Sequence, residues 1–453
     1  MTRRAWWLVA MNFLVPGSAQ TLSGNRRLGR LGLAATLTMW VLVVLAIVAA
    51  LVWPTLLVTI ATNVVGLLIA QVLLLAYAVL WTVLTVDTLR LVRLVKTRPK
   101  SRPAVAVVAI LGLVLGSGGA VYAAQKLLAP AREAIAAIFG ASGPSVEPSN
   151  GYYNFLLLGA DSGLGRDSMR FDSISVVSVN AETGAVHITG IPRDLSYVPF
   201  SDGPMNDLYP DGLQGYVSQT CGWGPGINQL MNAVEICRED GGTGLYPDAE
   251  AQGSTPAIEA TKDAAEGILG VEIPYYVFVD MKGFADIVDA LGGVEITVTE
   301  RLPKGGGPTY DGESAEDWAT GWIEVGTQLM DGDTAQWYAR SRYTTSDYDR
   351  MRRQRELQQA ILAQANPANV LARFQEVAAA GEDLVQTDIP ASLLPYLVEL
   401  AVKAKEQPVQ TLEITPEGVG IDTEDPTEEQ WAHVRELIQE ALYPPSPSPT
   451  TEG

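Results

Sequence analysis

Three long apolar runs without a charged side chain, Leu31–Trp53, Val64–Val86 and Pro103–Tyr122, constrain this chain more than any other feature. Each approaches or exceeds the roughly 20 residues a helix needs to cross a bilayer. None carries the polar stripe of a helix packed on a soluble core. A cleavable leader is not expected, because the chain returns to apolar sequence twice after the first run. Basic residues set the orientation. Arg3, Arg4, Arg26, Arg27 and Arg30 precede the first span, and Arg90, Arg93, Lys96, Arg98, Lys100 and Arg102 separate the second from the third. The Trp53–Asn63 connection has no Lys or Arg. Both basic clusters are therefore expected in the cytoplasm, and everything after about residue 125 outside it. The short apolar segment 6–20, interrupted by Pro16-Gly17, reads as an interfacial or re-entrant piece. This predicts a multi-pass membrane region over 1–124 and a stalk and linker over 125–150.

Charge divides the chain the same way. Lys and Arg number 31 against 51 Asp and Glu. Residues 1–102 hold eleven of the basic residues and one acid, Asp87, leaving 20 basic and 50 acidic residues for the rest. Such an outer part repels phosphate backbones, so nucleic acid is excluded as a partner. With only His187 and His433 in the chain, a zinc site built from several histidines is excluded too. Cys221 and Cys237 both fall outside, sixteen positions apart. A disulfide between them would stabilise the segment by about 3 kcal/mol, and two separate thiols are the alternative.

Residues 151–405 alternate short apolar strands with helices. Strands are expected at Asn154–Ala160, Ser173–Asn180, Ala185–Ile191, Tyr275–Asp280 and Val294–Thr299, with a tight hairpin at Ala181–Gly184. Helices are expected at Thr255–Leu269, Lys282–Leu291, Asp331–Ala339, Ser346–Ala365, Leu371–Ala380 and Ala391–Lys405. The fold class is thus N-terminal transmembrane helices followed by an extracytoplasmic α/β domain, α-β-α layered on a mixed central sheet. Residues 406–443 read as a C-terminal extension, and the Pro/Ser-rich 444–453 as a disordered tail.

Three separated segments combine acids and arginines at loop positions. The first places Asp161 at a strand tip and carries Arg170 and Asp172 toward the next strand. The second is Ile191-Pro192-Arg193-Asp194. If Asn180 pairs with Ala185, hairpin register puts Asp172 opposite Arg193. The third segment runs from Arg340 to Arg355 and packs six arginines into sixteen residues. Arg340 and Arg342 share a side if that stretch is extended. Ser346 and Asp347 are candidate caps of a helix from which Arg350, Arg353 and Gln354 project together, while Arg352 and Arg355 point into solvent. Crowded guanidinium groups repel one another unless an anion binds, and their planar forks match phosphate or pyrophosphate oxygens. Two aspartates beside a phosphate are what Mg²⁺ takes. With no His or Cys nucleophile in reach, the chemistry expected is electrostatic stabilisation of phosphoryl transfer to a hydroxyl.

These residues resemble the LytR-CpsA-Psr family of bacterial envelope proteins. The resemblance spans Asn154–Pro367 in consistent order: Gly159–Ser162, Arg170–Ser173, Ile191–Asp194, Ile227-Asn228, Tyr275–Asp280 leading to Gly292-Gly293, Gly326–Gly332, and the arginine block through Gln354. It implies a membrane-anchored phosphotransferase that moves a glycopolymer from a polyprenyl-pyrophosphate carrier to a peptidoglycan hydroxyl, leaving a phosphodiester, with Mg²⁺ assisting. By motif position Asp161 and Asp172 would hold the metal. Arg170, Arg193, Arg340, Arg342, Arg350, Arg353 and Gln354 would hold the pyrophosphate, with Arg193, Asp161 and Arg353 at the reaction centre. The family's apolar cleft for the prenyl tail would draw on residues after Val271. The chain departs from the pattern at Gly163, where the family often has Arg and Arg166 stands nearby, and at Gln229, where a His is usual. A pyrophosphatase that gives the phosphate to water, or a non-catalytic regulator that binds lipid pyrophosphates, fits the same residues.

Overall fold

A computed structural model of the chain describes residues 2–53, 56, 59–61, 63–93, 95, 97–139, 146–160, 170–305, 307–308, 310, 312–341, 343–364, 385–405 and 407–444. It divides into two units, Met1–Ala136 and Ala137–Gly453.

Long apolar stretches make the first unit mostly helical over its described residues. Three helices are long and apolar enough to cross a membrane: Arg26–Ala49, Val64–Val92 and Pro99–Glu133. The Asn25 side chain caps the first by accepting from the Arg27 and Leu28 amides, and Asn63 caps the second by accepting from Gly66. The third helix runs on through residue 125, where a stalk was expected to begin. The segment 6–20 forms the helix Thr2–Leu14, a break, and the short helix Ser18–Ser23. It breaks at Gly17, whose φ is +98° and where a Cβ would lie 2.4 Å from the Leu33 amide nitrogen, which excludes a side chain. Both short helices are tied to the second span. Asn12 Nδ2 donates to Thr85 Oγ1, and Gln20 Nε2 donates to the Leu84 carbonyl and to Thr88 Oγ1. Buried polar groups of this kind must find partners within an apolar bundle.

The second unit is built on a mixed sheet. Strands β1 (Tyr152–Ala160), β2 (Phe171–Asn180) and β3 (Val186–Ile191) form an antiparallel meander. Two short strands, β4 (Tyr216–Val217) and β5 (Gly222–Trp223), pair on their own. Strand β6 (Tyr275–Asp280) adds parallel to β1. Strands β7 (Val294–Val298), β8 (Leu302–Lys304), β9 (Gly321–Ile323) and β10 (Gly326–Met330) make two small pairs, β7 with β10 and β8 with β9. Strands β11 (Val385–Thr387) and β12 (Gln410–Glu413) close the edges, giving the order β11-β6-β1-β2-β3-β12.

Alternation along the strands sends the two faces of this sheet to different layers. Leu156, Leu158, Ile174, Val176, Tyr276 and Phe278 pack in one core with the helices Pro256–Leu269 and Glu428–Leu442. On the opposite face Tyr153, Phe155 and Tyr275 are covered by Leu393 and Leu400 of the Leu394–Ala404 region. Further along that face stand the helices Met281–Leu291, Gly332–Arg340 and Asp347–Gln364, which have their own apolar core around Val288, Val294, Met330, Tyr338 and Leu357.

Two expectations are corrected here. Residues 406–443 are not an extension: β12 pairs in parallel with β3, and Ile414, Val419, Trp431, Val434 and Ile438 belong to the main core. The open edge of β3 and the amphipathic last helix both required burial, and each supplies a partner in the domain. Arg355 is not solvated: it is 4% exposed and pairs with Glu413 of β12 at 3.2 Å, while Arg352 does face solvent at 57% exposure. Gly190 opposite this pair has no room for a Cβ, which would lie 2.0 Å from Glu413 Oε2. The expected helix Leu371–Ala380 and the tail beyond 444 lie outside the described residues.

Two measurements check this architecture. Trp431→Ala, which empties a site in the shared core, should cost about 3–5 kcal/mol in denaturant unfolding of the domain. Asp263, which accepts from the Tyr246 hydroxyl at 2.5 Å, has its pKa pushed up to about 6, by burial first and by the nearby carboxylates of Glu266 and Glu259. A raised carboxyl pKa contributes stability below the unfolded value near 4 that is lost as pH rises through about 6. Asp263→Asn removes this loss. The variant's stability relative to the parent should therefore rise between pH 4 and 7, by up to about 3 kcal/mol.

Candidate functional site

The hairpin register expected from Asn180 and Ala185 is the one observed: Ser175 faces Gly190 and Ile174 faces Ile191. Carrying it two residues further brings Asp172 beside Arg193, whose Nη1 donates to Asp172 Oδ1 at 2.5 Å. Arg193 also reaches Asp194 through Nε at 3.3 Å, and Asp347 Oδ1 through Nη2 at 3.7 Å. The Asp347–Gln364 helix starts there because Ser346 Oγ accepts from the Asp349 amide at 3.1 Å and Asp349 Oδ2 accepts from the Ser346 amide at 2.9 Å. This cap is reciprocal, with Asp in place of the usual Glu. Arg350, one turn on, donates to Asp347 Oδ2 at 2.9 Å. Asp172, Arg193, Asp347 and Arg350 thus form an alternating row of charges contributed by β2, the end of β3 and one helix.

The row stands at the rim of a cavity of about 1150 Å³ between the sheet and the three helices. Arg170, Asp172, Arg193, Arg340, Arg350 and Gln354 line its charged part. Leu157, Val177 and Ile188 of the sheet face Phe284, Ile287, Trp337, Leu357 and Ile361 of the helices in the rest. From Arg350 to Leu362 the wall helix advances about 18 Å. One side of the space is therefore cationic and the other hydrocarbon.

Burial works against the charge on Arg193, but its pKa is raised because Asp172, Asp194 and Asp347 surround it. For Arg350 burial wins and the pKa is lowered, with Asp347 acting in the opposite sense. Arg350 Nε and Gln354 Oε1 are buried on the cavity wall without hydrogen-bond partners among the described residues. Buried donors and acceptors in this condition are costly unless a ligand or water completes them.

The remaining expected site residues fall in three groups. Arg340 reaches the cavity from the last turn of Gly332–Arg340, its guanidinium 5.2 Å from the Trp337 ring, so the extended geometry expected for it does not hold. Asp161, Arg166 and Arg342 lie outside the described residues. Arg353 does not line the cavity. Its Nε donates to the Tyr338 carbonyl at 3.1 Å, and its Nη2 donates to the Ser341 carbonyl and to Thr345 Oγ1. It is a strut that fixes the chain leaving the Gly332–Arg340 helix. Sequence reasoning also passed over Asp347 as the bridge between two arginines, and Asn228, whose Nδ2 holds Asp194 at 2.9 Å and whose amide donates to the Arg193 carbonyl at 3.0 Å. Cys221 and Cys237 are joined in a disulfide, Cα–Cα 5.7 Å, around the segment that carries Asn228.

No group of three or more His, Cys, Asp or Glu gathers at metal-holding distance among the described residues. Asp172 faces the cavity with one oxygen taken by Arg193, and a carboxylate offers about four lone-pair sites. It suits Mg²⁺ in the sparse manner of phosphate sites, where one or two carboxylates share the ion with substrate oxygens. Chemically the arrangement can hold a multiply charged phosphate against arginines while an attached apolar chain leaves water.

A family model described as LytR_cpsA_psr matches residues 139–440. The chain is 27% identical over 289 residues to Biofilm regulatory protein A of Streptococcus mutans, covering 62% of this chain and 61% of that protein. It therefore spans less than two thirds of that relative. It is 25% identical over 272 residues to the polyisoprenyl-teichoic acid–peptidoglycan teichoic acid transferase TagU of Halalkalibacterium halodurans, covering 60% of this chain and 71% of TagU. Among solved structures it is similar to TagV of B. subtilis, with 20% identity, a TM-score of 0.42, and coverage of 66% of this chain and 98% of that one. A second is the LytR-CPS2A-psr family protein YwtF (TagT) with bound octaprenyl pyrophosphate lipid, with 19% identity, a TM-score of 0.38, and coverage of 66% and 93%.

The division between strut and rim is measurable. Arg353→Lys cannot span three acceptors with one ammonium and should lower stability by about 2–4 kcal/mol in chemical denaturation. Arg340→Lys at the cavity wall should leave the unfolding midpoint within the scatter of ordinary surface substitutions, about 0.5 kcal/mol.

Proposed function

We propose, starting from the fact that this chain belongs to the LytR_cpsA_psr family, that it is a membrane-anchored phosphotransferase. It moves a glycopolymer from a polyprenyl-pyrophosphate carrier onto a hydroxyl of peptidoglycan, with Mg²⁺ assisting. The observation that carries this reading is the single cavity whose rim is a row of arginines and carboxylates and whose depth is apolar. No common small anion needs the apolar part, and no plain lipid needs the arginines. A relative of this chain is named as a teichoic acid transferase acting on peptidoglycan. In this reading the catalytic unit lies on the outer face of the membrane, which the basic residues flanking the spans support and where that acceptor would be found.

In this reading the prenyl chain lies against Leu157, Val177, Phe284 and Leu357, and the pyrophosphate meets Arg170, Arg193, Arg340 and Arg350. Asp172, together with Asp161, would hold Mg²⁺, which when bound neutralises charge on the phosphates. An acceptor hydroxyl oxygen attacks the phosphorus that carries the glycopolymer. The bond from that phosphorus to the bridging oxygen breaks, polyprenyl phosphate leaves, and the hydroxyl proton passes to water at the open rim. Arg193 and Arg350 stand where negative charge grows on the bridging and non-bridging oxygens, so they stabilise the transition state more than the ground state. Arginine keeps its charge when buried, which lysine does less reliably.

The test is transfer of a labelled glycan from its polyprenyl pyrophosphate, with and without peptidoglycan, by the full chain in detergent. Label should become peptidoglycan-bound, at a rate that falls at least about 100-fold in Arg193→Ala and on chelation of divalent cations. Label released only as soluble glycan phosphate identifies a pyrophosphatase instead. Lipid binding without turnover identifies a regulator.

A further inference from the structure

The cavity has a lip that neither the phosphate nor the prenyl chain requires. Pro303, Gly305, Gly307, Pro308 and Trp318, the last from the short helix Ala315–Trp318, border it together with Tyr343. Ser341 Oγ donates to the Pro303 carbonyl at 3.1 Å, which fastens this border next to the arginine rim. We propose that the lip is a sugar-binding subsite that seats an uncharged pyranose ring of the glycan partner beside the pyrophosphate. This rests on the transferase reading above and names the ligand chemistry at one edge of the same site.

Trp318 and Tyr343 both line the cavity, and their rings meet at 82° with centroids 4.9 Å apart. Two perpendicular rings make a corner with an aromatic face on each side. Tyr343 is 41% exposed. Its hydroxyl donates to the Glu313 carbonyl at 2.5 Å, which holds the ring in place from its far end. The C–H bonds on one side of a pyranose are slightly positive and are attracted to the negative face of an aromatic ring. Trp318 Nε1 is buried without an acceptor among the described residues, so a hydroxyl oxygen at the corner would complete it. Gly305, packed against Trp318, and Gly307, beside which a side chain would meet nothing within 4 Å, line the cavity with backbone alone.

Charge narrows the ligand. Residues 301–324 contain two basic and five acidic residues. Both basic residues are already engaged: Arg301 stacks 3.7 Å above the Trp322 ring and pairs with Glu316 and Glu324, and Lys304 pairs with Asp333. A phosphate-rich chain would be repelled along this edge, whereas a neutral sugar is not. The ring belongs either to the acceptor strand or to the first sugar of the donor, and the experiment separates these.

The full chain in detergent is titrated with a soluble β-1,4-linked N-acetylglucosamine tetramer, read by tryptophan fluorescence and by saturation-transfer NMR. Saturable binding is expected, weakened at least about tenfold in Trp318→Ala and Tyr343→Ala and largely kept in Trp318→Phe. Circular dichroism and the unfolding midpoint verify that each variant is folded. If Trp318→Ala does not fold, the Tyr343→Ala and Trp318→Phe pair decides. These readouts need no turnover, so they stand or fall apart from the transfer reaction itself. Where transfer is measured, an acceptor-side ring raises the KM for glycan acceptor with lipid binding unchanged, and a donor-side ring raises the KM for the lipid-linked glycan. Absence of tetramer binding in the parent overturns the proposal. So does a pair of variants that bind tetramer normally but lose affinity for phosphatidylcholine–phosphatidylglycerol vesicles, because the lip is then a membrane contact.

Discussion

The bridge that Asp347 makes between Arg193 and Arg350 is the interaction on which the site depends. Two guanidinium groups from elements more than 150 residues apart in sequence would drive the end of β3 and the start of the helix away from each other. At 4 Å and a surface-like dielectric, two unit charges interact by about 4 kcal/mol. Asp347 between them, and Asp172 on the other side of Arg193, turn that repulsion into an alternating row. The row fixes where the helix begins relative to the sheet, and the helix start fixes where its apolar face can lie. A cavity wall follows directly from this placement, because Leu357 and Ile361 descend from the same helix two and three turns below Arg350.

Such a cavity is at odds with the close packing that domain interiors normally reach. It survives because its two walls are cores or core edges in their own right. The sheet is supported from behind by the Pro256–Leu269 and Glu428–Leu442 helices, and the three wall helices are supported by β7 and β10. At the far edge Arg355 and Glu413 hold the helix to β12, and Gln358 donates to Ser175 of β2 at 3.3 Å. These polar ties fix the spacing between the layers without filling it. A hydrophobic pair in their place would draw the helix down onto the sheet and close the space.

Much of this could be read from the residues alone, and the limits have a physical pattern. The meander, its register and the Asp172–Arg193 pair follow from period-two alternation and one tight turn, all within 42 residues. The cap at Ser346 likewise announces its helix. What stayed hidden depends on partners distant in sequence. Arg355 looks like a solvated charge until Glu413, 58 positions later, is seen to arrive on the edge strand. The last helix looks detachable until β12 carries it onto the core. Arg353 and Gln354 differ by only about 100° around the helix, yet that turn separates a strut aimed at two carbonyls from a side chain facing the cavity. Spacing alone names the face of a helix, not which neighbour will occupy its margin.

The choice of arginine at the rim follows from the same geometry. Arg350 is 5% exposed and its burial lowers its pKa, but a guanidinium starts so far above neutrality that it stays charged. A lysine there would lose charge to desolvation more readily, and it lacks the rigid planar fork that matches two phosphate oxygens side by side. Arg193 and Arg350 are each paired with a carboxylate in the row, so on the proposed function a pyrophosphate would not meet bare charge. In that reading it would exchange with the carboxylates that hold the arginines in position. On the proposed function this exchange releases Asp172 from Arg193 at the moment a phosphate arrives, leaving a carboxylate where Mg²⁺ would share it with the substrate. The acidic partners that hold the arginines in place would then also be the groups that complete the site around its substrate.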